Sequence, residues 1–199
     1  MRRAALVVAC LAFAAGAGMA RAGEIEVRDL AMRAVPEGMV LDADFAFELS
    51  PRLADLVANG VPLHFSVEFE LTRQRWYWFD EDTASRRLQL SLSYHALTRQ
   101  FRLSTGLLQQ AFATLEEALL GLMRVRNWLV LDRTVSFADS DYQAAVRMRL
   151  DATLLPKPFQ LSALTSPDLQ LESPWKRFTL RSPRHIPAPV ESRAPQGAR

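Results

Sequence analysis

Cysteine is almost absent from this chain, which has a single one, Cys10, inside an apolar stretch near the N-terminus. A chain cut after Ala22 has none, and this excludes disulfides, thiolate nucleophiles and thiolate metal ligands. The fold must then be held together by a hydrophobic core, for which the remaining 177 residues suffice. Attachment of a lipid to Cys10 is disfavoured, because only six apolar residues precede it and a better cleavage site follows.

Several familiar catalytic motifs are also lacking. The sequence contains no Gly-x-Ser-x-Gly elbow and no His-Glu-x-x-His motif. Of the three histidines, His185 lies near the C-terminus, and the alternation of their strands places His64 and His95 on the solvent side. This arrangement gives no support to a Ser-His-Asp triad. The sequence therefore predicts a protein that is not an enzyme, with no catalytic residue and no cofactor.

Metal ligands are few and do not follow a recognised spacing. A zinc site would need His64 and a glutamate of the same strand, Glu68 or Glu70, to meet His95 on a neighbouring strand. The acidic clusters at 80–82 and 139–141 lack the spacing and the glycine of a calcium-binding EF-hand loop. Solvated turns are the simpler explanation for both clusters, and no metal site is predicted.

The first 22 residues have the three-part pattern of a secretory signal peptide. A basic start, Met1-Arg2-Arg3, precedes an apolar run at 4–15 and the small-x-small triplet Ala20-Arg21-Ala22. The apolar run is shorter than the roughly 20 residues that cross a bilayer core, and no later stretch is long and uncharged enough to do so. The sequence predicts cleavage after Ala22, an exported, periplasmic protein, and no transmembrane segment in the mature chain.

Charge is distributed unevenly along the chain. Residues 23–82 hold 13 acidic residues and 5 arginines, whereas residues 83–199 hold 16 basic and 9 acidic residues. We expect these charges to pair across strands, which would join Glu68 and Glu70 to outward-facing arginines such as Arg147 and Arg149. The alternative is a basic patch for an anionic partner such as a phospholipid headgroup. Nucleic acid is disfavoured, because no basic cluster is interleaved with aromatic residues.

Period-two alternation of apolar and polar residues predicts about seven strands. The predicted strands are 24–35, 39–49, 63–72 with an extension to 79, 88–94, 101–103, 128–137 and 142–154. Pro36-Glu37-Gly38 predicts a hairpin turn between the first two. Ser50-Pro51 begins a short helix that Gly60 ends, with Leu53, Leu56 and Val57 as its apolar stripe.

One long helix is predicted at 107–124, capped by Ser104 or Thr105. Its apolar residues recur at helical spacing; they are Leu108, Phe112, Leu115, Leu119 and Leu122. The predicted fold is α+β, a mainly antiparallel and strongly curved sheet with this helix packed on it. A β-sandwich or partial barrel is the alternative.

Three segments divide the chain: a signal peptide at 1–22, a single globular domain at 23–180, and a disordered tail rich in proline and arginine at 181–199. The C-terminal part of the domain is expected to dock on the core through four apolar residues: Leu169, Leu171, Trp175 and Phe178.

Residues 73–79 combine two arginines with four consecutive aromatic residues. Arg73 and Arg75 precede Trp76, Tyr77, Trp78 and Phe79, and alternate aromatic side chains fall on opposite faces of a strand. Buried on both sides, they would form part of the core, which is the favoured explanation. Exposed, they would form a surface for a partner or for a sugar or lipid ligand.

The chain resembles an uncharacterised family of exported proteobacterial proteins, known as a domain of unknown function or as proline-rich exported proteins. The resemblance is carried by 73–78, by the strand at 88–94 and by the segment from Pro158 through Trp175. It implies no activity and no catalytic residues. It also implies genes that often lie beside a membrane sensor kinase of the nitrogen-regulation type.

The predicted function is that of a non-enzymatic periplasmic accessory or interaction protein of unknown specific role, linked to a membrane-anchored partner such as that sensor kinase. The alternative is a periplasmic carrier that holds a lipid or another apolar small ligand. A carrier would need an internal cavity lined by apolar residues such as Phe45, Phe65, Phe69 and Leu115.

Overall fold

The computed structural model describes residues 24–73, 81–133 and 141–181. Within them, nine strands and three α-helices follow one another along the chain. They are β1 (Glu26–Val35), β2 (Gly38–Ala46), α1 (Pro51–Ala58), β3 (Leu63–Arg73), β4 (Glu81–His95), β5 (Gln100–Thr105), β6 (Leu108–Phe112), α2 (Leu115–Leu122), β7 (Arg124–Asp132), β8 (Asp141–Leu150), α3 (Lys157–Thr165) and β9 (Lys176–Arg181). Short 3-10 turns lie at Ala152–Leu154 and Pro167–Leu169. The predicted signal peptide, with Cys10, and the tail beyond Arg181 lie outside the described residues.

The smaller sheet has three strands in the order β1-β2-β7. The predicted hairpin of β1 and β2 is confirmed, and its turn brings Val35 opposite Gly38. Gly38 has a φ of +150°, and a Cβ atom there would lie 1.9 Å from the carbonyl oxygen of Leu131 on β7. Only glycine therefore lets β2 approach β7 this closely.

The larger sheet has six antiparallel strands in the order β6-β5-β4-β3-β8-β9. The predicted alternation is confirmed on β3 and on β8 as far as Leu150, because their inward residues are buried. From β3 these are Leu63, Phe65, Val67, Phe69 and Leu71; from β8 they are Tyr142, Ala144, Val146, Met148 and Leu150. The predicted extension of β8 to residue 154 is wrong, since 152–154 form a 3-10 turn in which Leu154 is exposed. Residues of the smaller sheet, such as Leu41 and Phe45, belong to the same core cluster, so the two sheets share one core.

The prediction of one long helix at 107–124 is wrong. Gly106, with a φ of +59°, turns the chain so that Leu108 pairs with Thr105 and begins strand β6. The helix begins only after Thr114, whose hydroxyl accepts the backbone N–H of Glu117 while the Glu117 carboxylate accepts the N–H of Thr114. This capping box fixes the start of α2 at Leu115. Spacing of leucines alone could not distinguish a strand, a turn and a short helix from one helix.

The predicted architecture is therefore wrong. Two sheets of three and six strands with three short helices replace a single curved sheet under one long helix, and the strands in the described ranges do not close into a barrel. Helix α1 is confirmed, with the Ser50 hydroxyl accepting the N–H of Leu53. Leu169 and Leu171 are buried as predicted, but strand β9, which completes the larger sheet, was not expected. No helix in the described residues has the length and apolar character that crossing a membrane requires.

Candidate anion-binding site

Of the predicted aromatic segment, only Arg73 lies in the described part of the chain. It is the last residue of β3, is half-buried, and stands opposite Glu81 of β4 and Tyr142 of β8. Arg75, Trp76, Tyr77, Trp78 and Phe79 lie outside the described residues. Their role as a partner or ligand surface stays a prediction.

A cluster of charged side chains lies instead on the outer face of the larger sheet. Glu68 is on β3, the strand between β4 and β8, and the register places Arg87 of β4 and Arg147 of β8 directly opposite it. Arg149 follows two residues later on the same face of β8. Cross-strand neighbours of this kind lie close enough for their side chains to meet. We call Glu68, Arg87, Arg147 and Arg149 the Glu68 cluster.

Each oxygen of the Glu68 carboxylate accepts from arginine. Arg147 approaches Oε2, with Nε at 2.7 Å and Nη2 at 2.6 Å. Arg87 and Arg149 approach Oε1 through their Nη2 atoms, at 2.8 Å and 3.1 Å. The predicted pairing of Glu68 with Arg147 and Arg149 is confirmed. Arg87 was not expected, because only the register of β3 and β4 shows that it meets Glu68.

Glu68 is buried although it belongs to the outer face, with only 8% of its side chain exposed. Burial raises the pKa of this carboxyl, but the hydrogen bonds and positive charges of Arg147 and Arg149 outweigh it, so the pKa lies below its ordinary value. Glu68 is therefore ionised at neutral pH. The guanidinium of Arg147 also stacks over the ring of Trp175 at 4.4 Å, which further fixes its position.

The Glu68 cluster opens onto a groove of about 460 Å³. Its lining residues are Glu68, Phe69, Glu70, Ser85, Arg86, Arg87 and Arg147. Arg86 forms an ion pair with Asp132 of β7, whereas Arg87 and Arg147 share their counter-ion with Arg149. Three guanidinium groups thus face one carboxylate. The excess of positive charge and of N–H donors suits the binding of an anion.

The smaller sheet carries a second charged network, in which acid and base are matched. Asp42 accepts the backbone N–H of Asn127 at 2.7 Å and pairs with Arg33 at 3.0 Å, while Asp44 pairs with Arg126 at 2.5 Å. Asn127 has a φ of +53°, at a bulge of β7. Its N–H lowers the pKa of Asp42 against the opposing effect of desolvation, and Arg33 lowers it further. We call these residues the Asp42 network.

The histidines and carboxylates of the described residues are the candidate metal ligands. Across the described ranges, no three His, Cys, Asp or Glu side chains are grouped closely enough to hold a metal ion. The Nδ1 atom of His95 accepts the backbone N–H of Thr98, within the turn after β4. Of the acidic clusters, Asp80 and Asp139 lie outside the described residues, whereas Glu81 and Asp82 begin β4 and Asp141 begins β8.

One spacing that sequence reasoning overlooked is Ser173-Pro174-Trp175-Lys176, which matches the Ser-x-x-Lys pattern of some serine hydrolases. Ser173 is buried, and its hydroxyl accepts the backbone N–H of Met148 at 2.9 Å. Lys176 is exposed and begins β9. The serine fastens this segment to β8, which is a structural role.

The residues expected to line a ligand cavity belong to the core cluster. Phe45, Phe65 and Phe69 are buried in it, with the ring of Phe65 stacked on Phe47 at 5.7 Å, and Leu115 packs against it half-buried.

Comparison with known proteins gives one family match. The family model described as "Domain of unknown function (DUF4390)" matches residues 22–179 of this chain. No curated protein and no solved structure matches it significantly.

Proposed function

Because the chain belongs to the DUF4390 family, whose description names no function, its role must be inferred from its own residues, and we propose that it is a non-enzymatic accessory protein that binds an anionic partner. The observation that carries this proposal is the Glu68 cluster, in which three arginines share one buried carboxylate beside an open groove. Ion pairing inside the fold needs one arginine for each carboxylate. The surplus is available to an external anion.

The rest of the outer face agrees with this proposal. The register places Arg102 of β5 and Arg177 of β9 on the same face as the Glu68 cluster. Among the side chains that the structure describes on this face, five are arginines and two are the glutamates Glu68 and Glu70, and Glu172 lies opposite Arg149. A face with one dominant sign of charge attracts a partner of the opposite sign.

We propose that this protein acts in the periplasm. The first 22 residues have the pattern of a cleaved signal peptide, and the resemblance seen in the sequence implies an exported protein. Its partner is then a periplasm-facing, membrane-anchored protein or the membrane surface itself. The resemblance also implies a neighbouring membrane sensor kinase, and such a kinase is the first partner to test.

Photo-crosslinking in cells tests the proposal. A benzoylphenylalanine at Gln89, which is exposed on the outer face next to Arg87, should form a covalent adduct with one dominant partner. The matched control is the same group at Ala31, which is exposed on β1 opposite Asp42. Adducts should be analysed by mass spectrometry of the purified, tagged protein.

An adduct that forms at position 89 and not at position 31 would support binding through the outer face. Equal labelling at both positions, or none at either, would contradict it. Recovery of the protein with only an apolar lipid bound would favour a carrier instead.

A further inference from the structure

The groove over the Glu68 cluster is lined by guanidinium donors that point to a particular chemical group. We infer that it binds a phosphate monoester group, held by Arg87 and Arg147; this inference rests on the proposed function and specifies its ligand. Of the three arginines of the cluster, Arg87 and Arg147 line the groove and Arg149 does not, so two guanidinium groups are available there to a ligand. A phosphate monoester carries roughly −1.5 to −2 charges at pH 7. Its three terminal oxygens can accept from both guanidinium groups, whereas a carboxylate or a phosphate diester has only two charged oxygens, enough for one guanidinium edge.

The contacts with Glu68 leave part of each guanidinium group unused. The contacts with Glu68 use Nε and Nη2 of Arg147 and Nη2 of Arg87, so Nη1 of both arginines takes no part in them. Both arginines line the groove. The side chain of Arg147 is 30% exposed and that of Arg87 is 55% exposed. A planar guanidinium binds phosphate through two parallel N–H donors, so its unused edge is a ready phosphate contact.

Glu68 acts here as a positioning residue. Its buried carboxylate fixes three guanidinium groups that would otherwise repel each other, and the ring of Trp175 supports the plane of Arg147. Holding the donors in place before the ligand arrives reduces the entropy lost on binding. The groove supplies room as well, because about 460 Å³ lies within the usual range of small-molecule sites. It accommodates a phosphate together with part of the molecule that bears it.

Two further residues line the groove, and they affect phosphate binding in opposite directions. Ser85 adds a hydroxyl, and Glu70 adds an exposed negative charge that opposes the phosphate. Arg86 is engaged with Asp132 and is not counted as a ligand. On the β8 side, Glu172 stands opposite Arg149 in the backbone pairing, and Arg149 does not line the groove, so it is not counted as a ligand either.

Calorimetric titration of the purified full chain with inorganic phosphate, at constant ionic strength with chloride as the background anion, tests this inference. We expect saturable binding of phosphate and none of acetate. Arg87→Gln should weaken binding about tenfold or more, because a charge-assisted pair is lost while Glu68 keeps Arg147 and Arg149. Arg177→Gln removes the same charge from the same face, outside the groove, and should change the affinity by less than about twofold.

Vesicles distinguish the two sources of the phosphate group. Co-sedimentation with phosphatidic acid, a monoester lipid, should exceed that with phosphatidylglycerol, a diester lipid, if the ligand is a lipid headgroup. Binding of free phosphate without any vesicle binding would assign the site to a soluble phosphate ester. Both results support the inference and identify the source.

Three results would overturn it: no phosphate binding, equal binding of acetate, or equal weakening by Arg87→Gln and Arg177→Gln. Equal weakening by the two variants would show that phosphate responds to the overall charge of the face and not to a specific site. If phosphate does not bind while crosslinking at position 89 still captures one partner, the phosphate assignment is wrong and the proposed function stands. If crosslinking also fails, both are wrong.

Discussion

The two sheets each carry a carboxylate–arginine network on the central part of their outer face, and the networks differ in charge balance. In the Asp42 network, Asp42 pairs with Arg33 and Asp44 with Arg126, one base for each acid. In the Glu68 cluster, three arginines share one acid. The matched network leaves no surplus charge, whereas the Glu68 cluster leaves an excess of two.

The difference arises from what the neighbouring strands supply. Asp42 and Glu68 each lie on a strand with a neighbour on both sides. Beside Asp42, the bulge of β7 turns the backbone N–H of Asn127 toward the carboxylate. Beside Glu68, regular register brings an arginine from each neighbour. A backbone donor satisfies a carboxylate without adding charge, and an arginine satisfies it with a whole charge. The first network therefore serves the fold, and the second leaves charge available for binding.

Replacing Glu68 by glutamine should have the largest effect. We expect Glu68→Gln to lower the free energy of unfolding at pH 7 by about 1–3 kcal/mol, since hydrogen bonds to a charged group are lost and three arginines lose their counter-ion. Urea denaturation followed by fluorescence measures this. A variant as stable as the parent would contradict the role of Glu68 as counter-ion.

The same variant should change the pH dependence of stability. The folded-state pKa of Glu68 lies below its ordinary value of 4.5, so its contribution is complete above that pH and is lost as the pH falls through the folded value. The difference in stability between the parent and Glu68→Gln should therefore shrink below pH 4.5. A difference that is constant down to pH 3 would contradict this assignment.

The corresponding change in the Asp42 network, Asp42→Asn, should lower the free energy of unfolding less than Glu68→Gln does. The amide oxygen can still accept the N–H of Asn127, and the pair lost with Arg33 is half-exposed on the arginine side. We expect a loss of about 0.5–1 kcal/mol at low salt, reduced in 1 M NaCl. Phosphate affinity should not change. A fall in phosphate affinity as large as that of Arg87→Gln would erase the distinction between the two networks.

Removing the negative charge of Glu70 should increase the affinity of the groove for phosphate. Glu70 is exposed and lines the groove, so Glu70→Gln should strengthen phosphate binding by about twofold, the modest effect of one charge across water. Calorimetry with inorganic phosphate measures it. Weaker binding in this variant would place the ligand elsewhere.

The smallest effect is expected at Ser66, a buried neighbour of Arg149 in the register. Its hydroxyl has no hydrogen-bond partner within the described residues. Ser66→Ala should therefore leave the free energy of unfolding within about 0.5 kcal/mol of the parent, or raise it slightly, because no bond is lost. Thermal unfolding checks this. A loss above 1 kcal/mol would show that the hydroxyl contributes to the cluster.

Most strands could be predicted from the sequence, because one buried face imposes period-two alternation. Strands β2, β3 and β8 follow it closely, and Ser50-Pro51 marks α1 through its capping chemistry. Strand β6 could not be separated from α2 by the spacing of leucines. Thr114 and Glu117 form a capping-box signature that would have located the helix start.

The site was predictable in part. Alternation placed Glu68, Arg147 and Arg149 on outward faces and suggested their pairing. Arg87 required the register of β3 and β4, which depends on turn geometry and on packing between distant strands. The charge excess of the Glu68 cluster, on which the proposed binding role rests, follows from that register.

The most direct test of the charge-balance account is an NMR titration of the arginine Nε–H signals with inorganic phosphate. Both networks are present in one molecule, so Arg33 and Arg126 of the Asp42 network serve as internal references for Arg87 and Arg147. The account predicts that the signals of Arg87 and Arg147 shift and saturate while those of Arg33 and Arg126 stay in place. Equal, unsaturated shifts of all four, or no shift at Arg87 and Arg147, would contradict it.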